Sequence, residues 1–300
     1  MHRMSLPLAV VATTAVLGMI DRASSAALVA AARQQARAYA GHADLPGVHL
    51  WYTDTGGSGA PIVFLHANTG TSESWAPQNA AFSQAGYRVI AFDRRGWGKS
   101  LPDPTTGSQP GTVADDLDGL AQTLKLDRFH LVGVAGGGFV ALDYASWHPD
   151  RLLSLVLSAS TGAVQEQEVS DFTARFQLPG FGTWAPDVKE LSLSYRASNP
   201  DGAKAWLDLE AHAQQKGAPS QPLRSPNTYA KLESIRTPTL VMPADADLYA
   251  PPALMRLLAA HIRNSEWAIV PESGHSVSWE QPGTFNKNVL DFIGRHGTVR

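Results

Sequence analysis

The chain has 300 residues, a length that a single α/β domain can reach, and 44% of them are hydrophobic, enough for a sizeable core. Its net charge of −3 and the scattering of its 24 Lys and Arg residues provide no basic patch for nucleic acid or an anionic membrane. The chain contains no cysteine, which excludes disulfides, thiolate metal sites and a cysteine nucleophile.

The N-terminus differs in composition from the rest of the chain. Arg3 precedes the apolar run Leu6–Ile20, and the small residues Ser24–Ala26 follow. This order is typical of a signal peptide over residues 1–26 and predicts a periplasmic or secreted protein, with an N-terminal helix of a cytoplasmic protein as the alternative. The run is too short, and too rich in Ala and Thr, for a stable membrane span. The Ala-rich stretch that follows predicts a helical extension over residues 27–47.

From Val48 onward, short apolar segments alternate with amphipathic ones. Val48–Thr53, followed by a glycine-rich turn, predicts an edge strand. The buried strands that the pattern predicts are Ile62–His66, Arg88–Asp93, Phe129–Gly133, Leu152–Leu157, Thr239–Met242 and Trp267–Val270. The predicted helices between them include Val113–Leu124, Gly138–Ser146 and Pro252–His261. Alternation of this kind indicates an α/β core over residues 48–160 and 230–300, with a mostly parallel sheet of about eight strands flanked by helices.

The alternation stops between residues 161 and 229. This stretch carries proline, glycine and polar clusters with aromatic side chains between them. Asn199-Pro200 is a good helix start, because Asn is a favoured N-cap and Pro suits the first helical position. We therefore predict a mostly helical insertion that covers the site as a lid.

A glycine-rich turn follows the strand that begins at Phe129. Gly133-Val134-Ala135-Gly136-Gly137 has the spacing of the G-x-S-x-G nucleophile elbow, but its central residue is Ala135. Taken alone, the turn leaves a phosphate-binding site open, since glycine-rich strand–helix turns also bind phosphates. The dinucleotide pattern G-x-G-x-x-G is not met.

Four other motifs favour the nucleophile elbow over the phosphate-binding site. In chain order they are His66-Ala67-Asn68-Thr69-Gly70, Asp93–Ser100 (DRRGWGKS), Val241–Asp247 with Pro251-Pro252 after it, and Pro271-Glu272-Ser273-Gly274-His275. With the Ala135 turn they resemble the α/β-hydrolase fold family, and in particular its lid-bearing small-molecule serine hydrolases and esterases. The resemblance covers roughly Val48 to Gly294 and has the chain order expected of that fold, nucleophile, acid and histidine.

The resemblance implies roles for individual residues. His275 would be the general base, and Asp247 would orient its imidazole, with Asp245 as the competing acid. The backbone N–H groups of Ala67 and Gly136 would form the oxyanion hole.

Aromatic and polar side chains near these motifs are candidates for lining a largely apolar substrate pocket. They are His66, Trp75, Trp97, Trp184, Tyr249 and Trp279, and the resemblance also implies a structural role for His66. We expect the substrate to be a small, largely apolar carboxylic ester or lactone, with no metal and no cofactor. The sequence leaves the oligomeric state open.

Ala135 cannot act as a nucleophile, so the chain as written should be nearly inert in covalent hydrolysis. The acid, the histidine and the oxyanion loop that the resemblance implies are all present. This favours an enzyme whose serine has been replaced, as in a variant made to trap substrate, over a naturally non-catalytic ligand-binding relative. Serine is the expected lost nucleophile, because an aspartate nucleophile usually comes with Trp and Pro where this chain has Gly136 and Thr69; a lost cysteine stays open. A His–Asp-dependent C–C hydrolase or lyase and a cofactor-free oxygenase also stay open.

Overall fold

A computed structural model describes residues 37–297, which form a nine-stranded sheet with helices on both faces. The strands are β1 Tyr39–Leu45, β2 Val48–Asp54, β3 Pro61–Leu65, β4 Arg88–Phe92, β5 Leu101–Pro102, β6 Phe129–Val134, β7 Leu152–Ser158, β8 Thr239–Met242 and β9 Glu266–Trp267. Their spatial order is β1-β2-β4-β3-β6-β7-β8-β9, with β5 paired to β2. Neighbouring strands from β4 to β9 in this order are parallel, whereas β2 pairs antiparallel with β1, β4 and β5. This mostly parallel sheet confirms the predicted fold class.

Helices cover both faces of the sheet and so bury its central strands, which are mostly apolar. They are α1 Ala76–Gln84, α2 Val113–Thr123, α3 Gly136–Trp147, α4 Gln167–Phe176, α5 Pro186–Glu190, α6 Leu193–Ser198, α7 Pro200–Ala213, α8 Tyr229–Ser234, α9 Pro252–Ala259, α10 Val277–Glu280 and α11 Pro282–His296. Along β3, Ile62 and Phe64 pack in one core, whereas Val63 and Leu65 pack in the other. Every residue of β6 and β7 is buried, as continuous apolar runs predict.

The predicted helical extension over residues 27–47 is wrong at its C-terminal end. Tyr39–Leu45 is β1, which pairs with β2 along its whole length. The chain reverses at Pro46-Gly47, where Gly47 adopts φ +84°, a conformation that glycine tolerates best. β2 is therefore an internal strand and not the predicted edge. Residues 27–36 of the extension, and the predicted signal peptide over residues 1–26, lie outside the described residues.

The last strand is shorter than the sequence predicts. Trp267–Val270 is a predicted strand, but β9 ends at Trp267 and Val270 makes only an isolated bridge to Ala244. The sheet has nine strands, which are the seven segments predicted as strands and two that were not predicted, β1 and the two-residue β5. Within residues 37–297, no helix is long and apolar enough to cross a membrane.

The insertion between residues 161 and 229 contains helices α4 to α7 and none of the nine strands. The predicted start of α7 is confirmed, since the Asn199 side chain accepts a hydrogen bond from Gly202 N at 3.0 Å and Pro200 is the first helical residue. The insertion lies between β7 and β8 in the chain and carries Glu190 and Trp206.

Candidate active site

Ala135 lies between β6 and α3 in a backbone conformation that side-chain-bearing residues rarely adopt. Its φ is +48° and its ψ is −118°. Three hydrogen bonds hold it there: Ala135 N donates to Ser158 O at 3.0 Å, and Ala135 O accepts from Ser160 Oγ at 2.7 Å and from Gly138 N at 3.0 Å. Such strain persists only where the surroundings impose it, and it is typical of functional sites. The chain thus keeps a strained elbow around a residue that has no nucleophilic atom.

Two glycines make this tight turn possible. A Cβ on Gly133 would lie 2.6 Å from Gly137 O, and a Cβ on Gly137 would lie 2.2 Å from Leu65 O. Both positions therefore exclude any side chain, which explains why the elbow pattern has glycine on either side of its central residue.

The two proposed oxyanion donors lie on adjacent loops. Gly136 opens α3, and a Cβ on it would lie 2.4 Å from the Asn68 side chain, next to Ala67. Neither Gly136 N nor Ala67 N donates a hydrogen bond to a described residue. Both N–H groups therefore remain available to an incoming oxygen atom.

His66 is fully buried and holds the loop of Ala67. Its Nδ1 donates to Ala67 O at 2.7 Å, and its Nε2 accepts from Arg94 N at 3.1 Å. Burial lowers the pKa of His66 well below its usual value, and the nearby Arg94 adds to this shift. His66 is therefore neutral, and its hydrogen bonds give it a structural role even though it also borders a cavity.

Asp247, and not Asp245, lies against the imidazole of His275. His275 Nδ1 lies 3.0 and 2.9 Å from the two carboxylate oxygens of Asp247. Asp247 is buried, and its Oδ1 also accepts hydrogen bonds from Tyr249 N at 2.7 Å and Ala250 N at 2.9 Å. Asp245 is exposed. Since Nδ1 faces the carboxylate, Nε2 is the nitrogen of His275 that is left for a substrate or nucleophile.

A second carboxylate, which the sequence analysis missed, affects the charge of His275. Burial lowers the pKa of His275, but the negative charges of Asp247, Glu190 and Glu280 outweigh that effect and raise it from 6.5 to about 9. Glu190 ends α5 in the insertion, and its backbone oxygen accepts hydrogen bonds from His275 N at 2.7 Å and Ser276 N at 3.1 Å. Its buried Oε2 has no partner among the described residues, and burial raises its own pKa. No sequence motif marks Glu190.

We expect Glu190→Gln to lower the pKa of His275, because a neutral amide no longer stabilises the imidazolium ion. The pKa can be read from the ring proton shifts of His275 in NMR spectra recorded across a pH series. Glu272→Gln is the matched control, since Glu272 is exposed and only three residues from His275. An unchanged pKa of His275 in Glu190→Gln, with the fold intact, would contradict this interpretation.

The predicted aromatic pocket residues do not all line the same cavity. A cavity of about 30 Å³ beside His275 is bordered by Trp75 and Trp279, and by Trp206 from the insertion. Trp75 belongs mainly to the core, where it stacks on Phe64 with ring centroids 4.5 Å apart. Trp279 is fixed by a hydrogen bond from Nε1 to Gly202 O at 3.2 Å.

The other three candidates do not border this cavity. Tyr249 packs on the His275 ring with centroids 4.6 Å apart. Trp97 lines a second cavity of about 280 Å³, and its Nε1 donates to Asn68 O at 2.7 Å. Trp184 packs on Phe181 and borders neither cavity. The structure therefore does not bring Trp184 into the site, in contrast to the prediction.

The second cavity is more polar than the sequence predicts. Its lining includes Asn68, Arg94, Gln214 and Gln221 as well as the backbone of Gly136. Arg94 is the second residue of the motif Asp93–Ser100, whose pattern D-x-R-G-x-G-x-S accepts any residue at that position. The sequence contains no signal that this arginine is buried.

Comparison with known proteins places this site in a large family. Residues 62–287 match the sequence profile described as the alpha/beta hydrolase family. A 2-hydroxy-6-oxononadienedioate/2-hydroxy-6-oxononatrienedioate hydrolase of Paraburkholderia phymatum is 30% identical over 266 residues, covering 83% of this chain and 92% of the relative. A thermophilic esterase from Thermogutta terrifontis is structurally similar, with a TM-score of 0.72 and 26% identity over 88% of this chain and 100% of the esterase. An enol-lactonase from Burkholderia xenovorans has a TM-score of 0.68 and 25% identity, over 84% of this chain and 99% of the lactonase.

Proposed function

The chain belongs to the alpha/beta hydrolase family, and from this premise we propose that its site is that of a hydrolase of small carboxylic esters or lactones, with Ala135 in place of a nucleophilic serine. One observation carries the proposal: the His275–Asp247 pair accompanies an elbow whose central residue keeps φ +48°. Backbone strain of this kind is typical of functional sites, and outside catalysis nothing in this turn requires it. The esterase and the enol-lactonase among the similar structures support the same substrate chemistry.

The proposed reaction of the serine form uses His275 twice. Nε2 of His275 accepts the hydroxyl proton as the serine oxygen attacks the carbonyl carbon, and the N–H groups of Ala67 and Gly136 stabilise the resulting oxyanion. When the intermediate collapses, His275 returns the proton to the leaving alkoxide, which departs as an alcohol. Water then repeats the sequence: His275 takes a proton from water as its oxygen attacks the acyl carbon, the bond between that carbon and the serine oxygen breaks, the carboxylic acid leaves, and His275 returns the proton to the serine oxygen.

The chain with Ala135 lacks only the attacking oxygen. It should therefore bind substrates of the serine form without forming an acyl-enzyme. The test is hydrolysis of a panel of short esters and lactones by the purified chain and by its Ala135→Ser variant. Equal rates on every substrate would remove the serine-hydrolase proposal.

A second candidate function is a His–Asp-dependent reaction that forms no covalent intermediate. It is favoured by the combination of Ala135 with a His275 pKa raised to about 9, because neutral His275 is then a stronger base than ordinary imidazole. The observation that separates the two candidates is turnover by the unmodified chain that depends on His275 and does not increase in Ala135→Ser.

We propose that the insertion over residues 161–229 acts as a lid and borders the substrate. In the serine form, Trp206→Ala should raise KM for esters, because Trp206 borders the cavity beside His275. The matched control is Trp184→Ala, which removes the same side chain from the same insertion but outside both cavities. Steady-state kinetics over a series of acyl lengths provide the measurement, and thermal unfolding checks the fold. Identical kinetics for Trp206→Ala and the parent would argue against this role.

A further inference from the structure

Arg94 is a buried cation with no ion-pair partner among the described residues. Only 6% of its surface is exposed. Its Nη2 donates to Ala67 O at 3.2 Å and to Asn68 Oδ1 at 3.0 Å, and its guanidinium lies 4.5 Å from the Trp97 ring centroid. Its Nε is buried and makes no hydrogen bond to any residue within 37–297. All of these partners are neutral, so the charge of Arg94 is not balanced.

The neighbouring arginine, Arg95, has a buried counter-ion, in contrast to Arg94. Arg95 is equally buried, but it forms a bidentate ion pair with Asp116 at 2.9 and 2.6 Å. A buried charge without a counter-ion is costly, so proteins seldom retain one without a reason. Burial lowers the pKa of Arg94 to about 10, which still leaves it charged at neutral pH.

The unbalanced charge lies in the wall of the 280 Å³ cavity, which also contains the backbone of Gly136. The same cavity is therefore lined by Gly136, whose N–H is a proposed oxyanion donor, and by Arg94. The other polar side chains of the lining, including Asn68, Gln214 and Gln221, are neutral, and none of the described residues that line the cavity carries a carboxylate. A small anionic group could enter this cavity without meeting a like charge. The volume lies near the lower end of the range for ligand pockets, roughly 300–1,000 Å³.

We propose that the substrate is an ester or lactone that carries a free carboxylate, and that Arg94 binds this carboxylate. This rests on the proposed function and adds the substrate class to it. A guanidinium suits the task, because its donors match the two oxygens of a carboxylate. The competing explanation is that Arg94 only braces the oxyanion loop through Ala67 O and Asn68 Oδ1.

The test compares two phenyl esters with the same acyl chain up to its end, which is a carboxylate in monophenyl glutarate and a methyl group in phenyl pentanoate. Calorimetric titration of the unmodified chain with Ala135 should show tighter binding of the glutarate ester. Arg94→Met should weaken binding of the glutarate ester by about 10- to 100-fold, the range for losing hydrogen bonds to a charged group. Binding of the neutral ester should change little. Lys99→Gln is the matched control: it removes a positive charge five residues away, from an exposed side chain paired with Glu73.

A second variant separates binding from bracing. Arg94→Gln removes the charge but keeps an amide that can donate to the oxyanion loop, so it serves equally if Arg94→Met does not fold. Selective loss of the glutarate ester in either variant supports the proposal. Equal loss of both ligands, or no preference for the glutarate ester in the unmodified chain, overturns it. Because binding is measured without turnover, failure here differs from failure of the hydrolase proposal, in which Ala135→Ser would hydrolyse neither ester.

Discussion

Ala135→Ser should increase the rate of ester hydrolysis by roughly 10⁴- to 10⁶-fold, since a triad that lacks its nucleophile keeps only the contribution of binding and the oxyanion hole. The gain should be this large because the substitution supplies the one missing atom. The backbone of Ala135 already has the φ of +48° that the elbow requires, and His275 already lies 2.9 Å from Asp247. The N–H groups of Ala67 and Gly136, the proposed oxyanion donors, also donate to no described residue.

Two variants control this experiment. Ala135→Gly tolerates the positive φ without strain but adds no oxygen, so it should stay as inactive as the parent. His275→Ala in the serine background should return the rate close to that of the parent, because the residues of a triad act as a unit. Activity in Ala135→Gly equal to that of Ala135→Ser would mean that relief of strain, and not the nucleophile, had been missing.

The pH dependence of the serine form follows from the charge of His275. The pKa of His275 is raised to about 9, and only the neutral ring can accept a proton. The value of kcat/KM should therefore rise with pH up to about 9 and level off above it. Because kcat/KM reports the free enzyme, a profile that levels off near the ordinary histidine pKa would contradict a raised pKa of His275 in the serine form.

The parts of the site that could be predicted are those in which the backbone requires particular residues. Gly133 and Gly137 leave no room for a Cβ, so the elbow has a recognisable pattern even without its serine. The acid and the histidine follow strands in a fixed order, which allowed Asp247 and His275 to be identified. These positions depend on local geometry, which sequence spacing can express.

The parts that could not be predicted depend on packing between distant segments. Arg94 and Arg95 are adjacent and chemically identical, and only the fold gives a carboxylate to one of them. Trp184 and Trp206 are both aromatic residues of the insertion, but only Trp206 reaches the cavity. The backbone oxygen of Glu190 accepts hydrogen bonds from His275 N and Ser276 N, and backbone hydrogen bonds of this kind do not depend on residue type, so no sequence pattern predicts them.

Asp247→Asn in the serine form should reduce kcat by about 10⁴-fold, the loss expected when a triad acid becomes an amide. The hydrogen bonds of Asp247 explain why. Its Oδ1 accepts from Tyr249 N and Ala250 N, so an asparagine would keep its oxygen there and direct its amide at His275 Nδ1. That oxygen also lies 3.0 Å from Nδ1, but its two lone pairs are already used by the two backbone N–H groups, so Nδ1 would accept a hydrogen bond from the amide and the proton of the neutral ring would move to Nε2. A protonated Nε2 cannot take the proton of the serine.

Asp245→Asn is the matched control, because it makes the same chemical change two residues away. Asp245 is exposed, and its side chain does not reach His275. Its replacement should change kcat by less than about threefold, as is usual for a surface substitution remote from the reacting groups. Steady-state kinetics on one chromogenic ester measure both variants. If Asp245→Asn lost as much activity as Asp247→Asn, the carboxylate that orients His275 during turnover would have to be Asp245, and the turn that carries both residues would have to rearrange when substrate binds.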